Sequence, residues 1–204
     1  MGRWVFIRHG ESKANASRIF SGWNDVPLTP LGVTQARRAG RLLAEHTPGP
    51  IHVVSSDLQR AHRTGIVALK AWSAALRCPA PEIVLEPRLR ERHMGVLQGV
   101  SIDAARRDGR MSQLLGWKSH PPGGESLYDL AIRCLAAVQD IDEGCPVVIF
   151  AHGGVIRVLS GMLDRLTTEQ IASRRIQNAH PIIMNVDHEL LSDCSERYAL
   201  RRGK

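Results

Sequence analysis

The sequence predicts an α/β fold, a three-layer sandwich in which a mostly parallel central sheet carries helices on both faces. Three observations predict it. Short apolar runs, Trp4-Val5-Phe6-Ile7, Ile51-His52-Val53-Val54 and Pro146-Val147-Val148-Ile149-Phe150, have the length of buried strands. Stretches with apolar residues at helical spacing alternate with them, as crossovers between parallel strands do. At 204 residues and 43% hydrophobic composition, the chain can bury one core and is short for two, so residues 1–204 read as one domain.

The elements follow in order. A first strand covers residues 3–8. After a polar loop, Leu28-Thr29-Pro30-Leu31-Gly32 opens a helix with Thr29 as cap and Pro30 in the first turn, and Ala36, Ala39, Leu42 and Leu43 form its inner face. Pro48-Gly49-Pro50 stops that helix, and residues 51–55 form a short strand. Ser56 or Asp57 is expected to cap the next helix, residues 58–76, which turns Ala61, Gly65, Ala68 and Trp72 inward. A small strand at 83–85 leads into residues 87–122, whose weak periodicity suits loops and short helices over the mouth of a site. Ser126 and Asp129 have capping-box spacing before a helix that buries Leu127, Leu130, Leu135, Val138 and Ile141. The strand ending at His152 comes next, then helices at 155–163 and 168–174 and strands at 181–186 and 197–200.

The chain carries 27 Lys and Arg against 20 Asp and Glu, a formal net charge of +7, which favours anionic partners. The arginines are scattered, with pairs such as Arg37-Arg38 and Arg174-Arg175 but no basic block or aromatic interleaving, so a nucleic-acid partner is not expected. Cys78, Cys134, Cys145 and Cys194 show no C-x-x-C spacing, which argues against a zinc site or disulfide framework and for reduced thiols in a cytoplasm. No leader or membrane-spanning run is read, and no membrane partner is expected. A homodimer stays open, because an apolar edge looks the same as core in one sequence.

Two strand ends are alike. The first delivers Arg8-His9-Gly10 and the strand at 146–150 delivers His152-Gly153-Gly154. In parallel sheets ligands bind beyond the carboxyl ends of strands, so both phrases fall on one rim, and Ser55-Ser56-Asp57-Leu58-Gln59-Arg60 brings Arg60 to the first turn of a helix there. Arginine offers a fixed cationic fork for phosphate oxygens, histidine is a nitrogen nucleophile titrating near neutrality, and glycine lets backbone N–H groups approach an anion. No H-E-x-x-H spacing marks a metal hydrolase, and neither metal nor cofactor is expected.

These three phrases, in this order, resemble the histidine phosphatase superfamily, which includes the cofactor-dependent phosphoglycerate mutases and many small phosphatases. Arg8-His9-Gly10-Glu11-Ser12 is similar to its nucleophile motif, the segment 55–64 to its second arginine motif, and Ala151-His152-Gly153-Gly154-Val155-Ile156-Arg157 to its second histidine motif. The resemblance implies that His9 attacks phosphorus and holds a phosphoryl group. It further implies that Arg8, Arg60 and His152 bind the oxygens, and that Glu91, in Arg90-Glu91-Arg92-His93, protonates the leaving oxygen. Asn15, Ser21, Gly22 and Gly153 are the implied substrate contacts, and Asn178 is placed near the rim. A neutral His9 and a protonated His152 would complete the charge complement.

The resemblance leaves two reactions. Phe20-Ser21-Gly22-Trp23-Asn24-Asp25 is similar to the mutase loop, but Met94 stands where glycolytic mutases carry tyrosine and Ile102 where they carry a substrate-binding lysine. Their paired arginines have no clear counterpart, Arg106-Arg107 being out of register, and the chain is shorter than those mutases. The expectation is a phosphomonoester hydrolase acting through phosphohistidine on a small phosphorylated metabolite, with mutase-type phosphotransfer as the alternative. A non-catalytic phosphate-binding protein on the same fold is the third reading, and the intact Arg8, His9, Arg60 and His152 set argues against it.

Overall fold

The structure is a computed structural model and describes residues 2–141 and 144–198. Five strands, β1 (Gly2–Arg8), β2 (His52–Ser55), β3 (Ile83–Leu85), β4 (Val147–Ala151) and β5 (Pro181–Val186), form one sheet in the order β3-β2-β4-β1-β5. All neighbours are parallel except β5, which runs antiparallel along β1. The central strand β4 reads Val-Val-Ile-Phe-Ala and every residue in it is fully buried. Burial of a Val, Ile or Phe side chain contributes roughly 1.5–3 kcal/mol, so a register slip that displaced His152 would forfeit several such terms.

Helices α2 (Pro30–His46) and α3 (Gln59–Leu76) cover one face, where Ala39, Leu43, Ala68 and Trp72 pack on Val5, Ile7, Val53, Val148 and Phe150. On the other face α5 (Leu127–Gln139), α6 (Gly153–Leu163) and α8 (His188–Arg197) bury Leu130, Cys134, Ile156, Leu159 and Leu191 against Trp4, Phe6, Val147 and Ile149. The alternation of β1, with Val5 and Ile7 to one side and Trp4 and Phe6 to the other, feeds both layers. The three-layer expectation holds.

Sequence rules placed several ends well. Thr29 caps α2 with Pro30 at its first turn, and Ser126 and Asp129 close a reciprocal capping box at α5. Residues 87–122 contain three short 3-10 turns and α4 (Ile102–Arg107), as the weak periodicity suggested.

Other expectations need correction. The polar loop after β1 holds a one-turn helix, α1 (Lys13–Ala16), closed by a Ser12–Asn15 capping box. Neither Ser56 nor Asp57 is the cap residue of α3. Leu58 occupies that position without a side-chain bond, and Asp25 from a distant loop accepts the Gln59 N–H at 2.8 Å. The strand expected at 197–200 is not there, because Arg197 ends α8; residues 199–200 lie outside the described residues. Asp187 caps α8 through the Leu190 N–H, and its buried side, Leu191 and Cys194, is too short to show as a helical period in the sequence. The short helix α7 (Thr168–Ser173) joins α6 to the segment before β5. No helix among the described residues is long and apolar enough to cross a membrane.

Candidate active site

The parallel pairing Arg8↔Ala151 and Ser55↔Phe150 brings the ends of β1, β2 and β4 to one rim. The His9 N–H extends the ladder to Ala151 O at 2.9 Å, and the Ser56 N–H reaches Phe150 O at 3.0 Å. His9 and His152 therefore emerge side by side, with ring centroids 5.2 Å apart and planes crossed at 61°.

His9 is 3% exposed and its Nδ1 lies 2.7 Å from Gly10 O. A carbonyl only accepts, so Nδ1 carries the proton and, in the neutral ring, the lone pair sits on Nε2. Asn178 Nδ2 donates to His9 O at 2.8 Å and the Ala179 N–H donates to Arg8 O at 2.9 Å, which ties the loop before β5 to the backbone of the motif. The Gly10 N–H donates to Thr64 Oγ1 at 3.0 Å, and its Cα lies against the Gly32 carbonyl, where no Cβ would fit. The glycine thus serves the close approach of α2, not an anion, which corrects the sequence reading.

Burial, and then the nearby Arg60 and Arg8 charges, push the His9 pKa well below the ordinary imidazole value. His152 is lowered well below it too, by burial first and then by Arg60 and His9. Burial thus favours the neutral His152 ring in the unliganded site. Its Nε2 lies 2.9 Å from Ser56 Oγ, and its buried Nδ1 has no hydrogen-bond partner among the described residues.

Arg60 sits in the first turn of α3 and is 0% exposed. Its Nη atoms donate to Gly22 O at 2.8 Å and Asn24 O at 3.0 Å, while Arg8 Nη1 donates to Ile176 O at 2.6 Å. The Nε atoms of both are buried without a partner, and burial lowers both pKa values. Neither arginine is in a salt bridge among the described residues. Two guanidinium groups with buried, unspent Nε donors beside a neutral imidazole form an environment suited to a phosphoryl group.

Glu91 faces the same space. Its carboxylate accepts the Gly154 N–H at the start of α6, at 3.0 and 3.2 Å, and the Arg92 N–H at 2.9 Å. Gly154 has no room for a Cβ, which would collide with Glu91 Oε1. The Glu91 carbonyl is held by Trp23 Nε1 at 2.7 Å and Arg133 Nη2 at 2.9 Å, and Arg133 is locked in turn by a two-point pair with Glu125 at 2.7 Å.

A cavity of about 400 Å³ is lined by Arg8, Asn15, Ser21, Gly22, Glu91 and Gly153, together with Met94, Ile102 and neighbouring apolar side chains. The structure thus brings six of the nine residues singled out from sequence onto one surface. His9, Arg60 and His152 do not line it; all three are buried, His9 and His152 as chain neighbours of Arg8 and Gly153. Asn15 does double duty: its Oδ1 accepts the Ser12 N–H at 3.1 Å.

Sequence reasoning missed Ser56, Thr64, Trp23 and Arg133. Ser56 had a signal, standing just past a strand end on the same rim. Arg133 had none, being an arginine in the middle of α5 whose value comes from three carbonyls of the segment before it.

Comparison with known proteins agrees with this geometry. The family model described as histidine phosphatase superfamily (branch 1) matches residues 4–192. A 2,3-bisphosphoglycerate-dependent phosphoglycerate mutase of Methylorubrum populi is 36% identical over 188 residues, 88% of this chain and 87% of that one. The phosphoglycerate mutase of Schizosaccharomyces pombe is 34% identical over 194 residues, 91% and 90% of the two chains. Among solved structures, a mycobacterial glucosyl-3-phosphoglycerate phosphatase superposes with a TM-score of 0.79 at 30% identity, covering 91% of this chain and 93% of that one. With a family match over nearly its whole length, and with paired histidines and arginines at the strand ends, the chain belongs to the histidine phosphatase superfamily.

Proposed function

We propose that the protein is a phosphomonoester hydrolase that works through a phosphohistidine on His9 and acts on a small phosphorylated metabolite in the cytoplasm. The observation that carries the reading is the state of His9: Nδ1 is tied to Gly10 O, burial and two arginines keep the ring neutral, and Nε2 holds the lone pair. Attack by Nε2 forms a nitrogen–phosphorus bond as the ester oxygen–phosphorus bond breaks. Arg8 and Arg60 offset the charge on the transferring oxygens, and His152 donates a hydrogen bond to them. Glu91, which takes up a proton as the substrate's phosphate enters beside it, gives that proton to the departing oxygen. Water then attacks phosphorus, Glu91 takes the water's proton back, and phosphate leaves with His9 restored. Gly22 O and Asn24 O each take one Nη hydrogen of Arg60, which leaves its Nε–H and one hydrogen on each Nη for a phosphate.

Hydrolysis is favoured over mutase transfer by the lining of the cavity. Met94 and Ile102 are both on it, where mutases hold substrate with a tyrosine and a lysine, and Arg106 and Arg107 are not. The mutase reading keeps a specific support: the mutase relative from Methylorubrum populi matches with nearly equal coverage of both chains, so short length does not separate the two reactions. Incubation with 3-phosphoglycerate and catalytic 2,3-bisphosphoglycerate separates them. Release of inorganic phosphate is the expected result, and rapid conversion to 2-phosphoglycerate without release would overturn it.

A further inference from the structure

Three arginines on the cavity wall have no part in the phosphoryl-transfer scheme: Arg92, Arg157 and Arg175. Arg157 stands one turn after Gly153 on α6, so both face the cavity from the same side of the helix. It is half-buried, and its Nε donates to Arg174 O at 2.9 Å, which fixes the plane of the guanidinium. Arg175 follows α7 at the exposed mouth. Arg92 is almost fully buried, and its Nε donates to Glu125 O at 2.6 Å and its Nη2 to Ser119 O at 2.7 Å.

Neither Arg92, Arg157 nor Arg175 forms a salt bridge among the described residues, although nine other ion pairs do form. Arg174, next to Arg175 in the chain, is satisfied by Asp164 at 2.5 Å. Counting Arg8, the wall holds four arginines and a single carboxylate, Glu91. A phosphate dianion offsets two positive charges and leaves the wall cationic. The rest of the lining includes the apolar residues Phe20, Met94, Ile102 and Leu127. Such a mixed lining orients a ligand, because an anion gains much beside the arginines and little beside the apolar side chains.

We infer that Arg157 and Arg175 are specificity residues that bind a second anionic group, a carboxylate or a second phosphate, on the leaving part of the substrate. The inference rests on the phosphohistidine reading and adds to it the class of substrate: phosphomonoesters with two separated anionic ends. Arg157, held in place, supplies the oriented fork, and Arg175 at the mouth supplies capture. The arrangement takes over the task that the missing lysine and arginine pair performs in the mutases, from a different element of the fold.

The test compares matched esters by the rate at which the phosphoenzyme forms, a step common to hydrolysis and mutase transfer. One pair is 3-phosphoglycerate against glycerol 3-phosphate, differing at a carboxylate; the other is fructose 1,6-bisphosphate against fructose 6-phosphate, differing at a phosphate. The wild type should prefer the doubly anionic member of at least one pair by on the order of 10- to 100-fold in kcat/KM, as expected for one or two charge-assisted bonds. The pair that shows it names the second anion. Arg157→Gln and Arg175→Gln should each collapse that ratio toward one, chiefly through KM, and Arg157→Lys should restore part of it. Arg175→Gln guards against a folding effect, since that residue is exposed. No preference in the wild type, or a ratio unmoved in both variants, would overturn the inference. Absence of phosphoenzyme from every ester would instead overturn the phosphohistidine reading beneath it.

Discussion

The Gly154 N–H donates to both carboxylate oxygens of Glu91, and the missing side chain of Gly154 is what allows the carboxylate to lie there. One residue therefore provides both the donor and the space that aim Glu91 at the cavity. The second histidine motif thus positions Glu91, the proposed proton donor, as well as His152. A carboxylate at the start of α6 also meets the positive end of that helix dipole.

Glu91→Gln should lower kcat/KM, which reports phosphoenzyme formation, by about 10²- to 10⁴-fold on an alkyl phosphate, the usual worth of a general acid. On p-nitrophenyl phosphate the loss in kcat/KM should be far smaller, because p-nitrophenolate leaves without a proton. Gly154→Ala should reproduce the same leaving-group dependence by pushing Glu91 aside. Steady-state rates on both esters check this, and equal losses on the two would show that Glu91 does not protonate the leaving oxygen.

Arg133 and Glu125 form a pair whose side chains are 18% and 20% exposed, and Arg133 also ties down the carbonyls of Arg88, Arg90 and Glu91. Removing one partner of such a pair leaves the other without compensation. Arg133→Met should cost about 3 kcal/mol of stability, read from urea unfolding midpoints. Because Glu91 O would lose a donor, kcat on alkyl phosphates should fall even at temperatures where the variant is folded.

His9 and His152 both have pKa values depressed by burial, so the unfolded chain takes up their protons first as the pH drops. Their contribution is therefore present in full above the ordinary imidazole value of about 6.5 and is lost as the pH falls below it. Unfolding free energy should decline from pH 7 toward pH 5, and His152→Gln should decline less steeply. The acid limb of kcat/KM for nucleophilic attack should likewise lie below the ordinary imidazole range. An acid limb centred at that range would contradict a buried, neutral His9.

Ser56 Oγ lies 2.9 Å from His152 Nε2, and Ser56→Ala removes that bond while leaving the strand end intact. A hydrogen bond of this kind is worth about 1 kcal/mol, so kcat/KM should fall roughly 5-fold, with stability changed by a similar amount. A loss comparable to that of His152→Gln would mean that Ser56 itself touches the phosphoryl group.

The sheet, its two faces and the two histidine phrases were legible in the sequence because they rest on local signals. The runs of β1 and β4 are continuous and apolar, and Thr29-Pro30 and Ser126-Asp129 cap helices through neighbours three or fewer residues away. What escaped depended on partners far along the chain. Asp25 caps α3 across 34 residues, and Arg133 supports Glu91 across 42. The role of Gly10 was misread for the same reason: the group it makes room for, Gly32 O, lies on another helix. The cationic lining that Arg157 and Arg175 share was invisible in the sequence, where Arg157 stood in the second histidine motif with no role and Arg175 in a scattered pair, since only the fold brings them to one cavity with Met94 and Ile102.

The central claim is that His9 Nε2 carries the phosphoryl group, and it is tested most directly by trapping. Rapid acid-free denaturation during turnover of p-nitrophenyl phosphate, followed by peptide mass spectrometry and phosphorus NMR, should locate an acid-labile, base-stable phosphoramidate on His9. It should be lost in His9→Ala. A phosphorylated residue other than His9, or normal turnover by His9→Ala, would contradict the account.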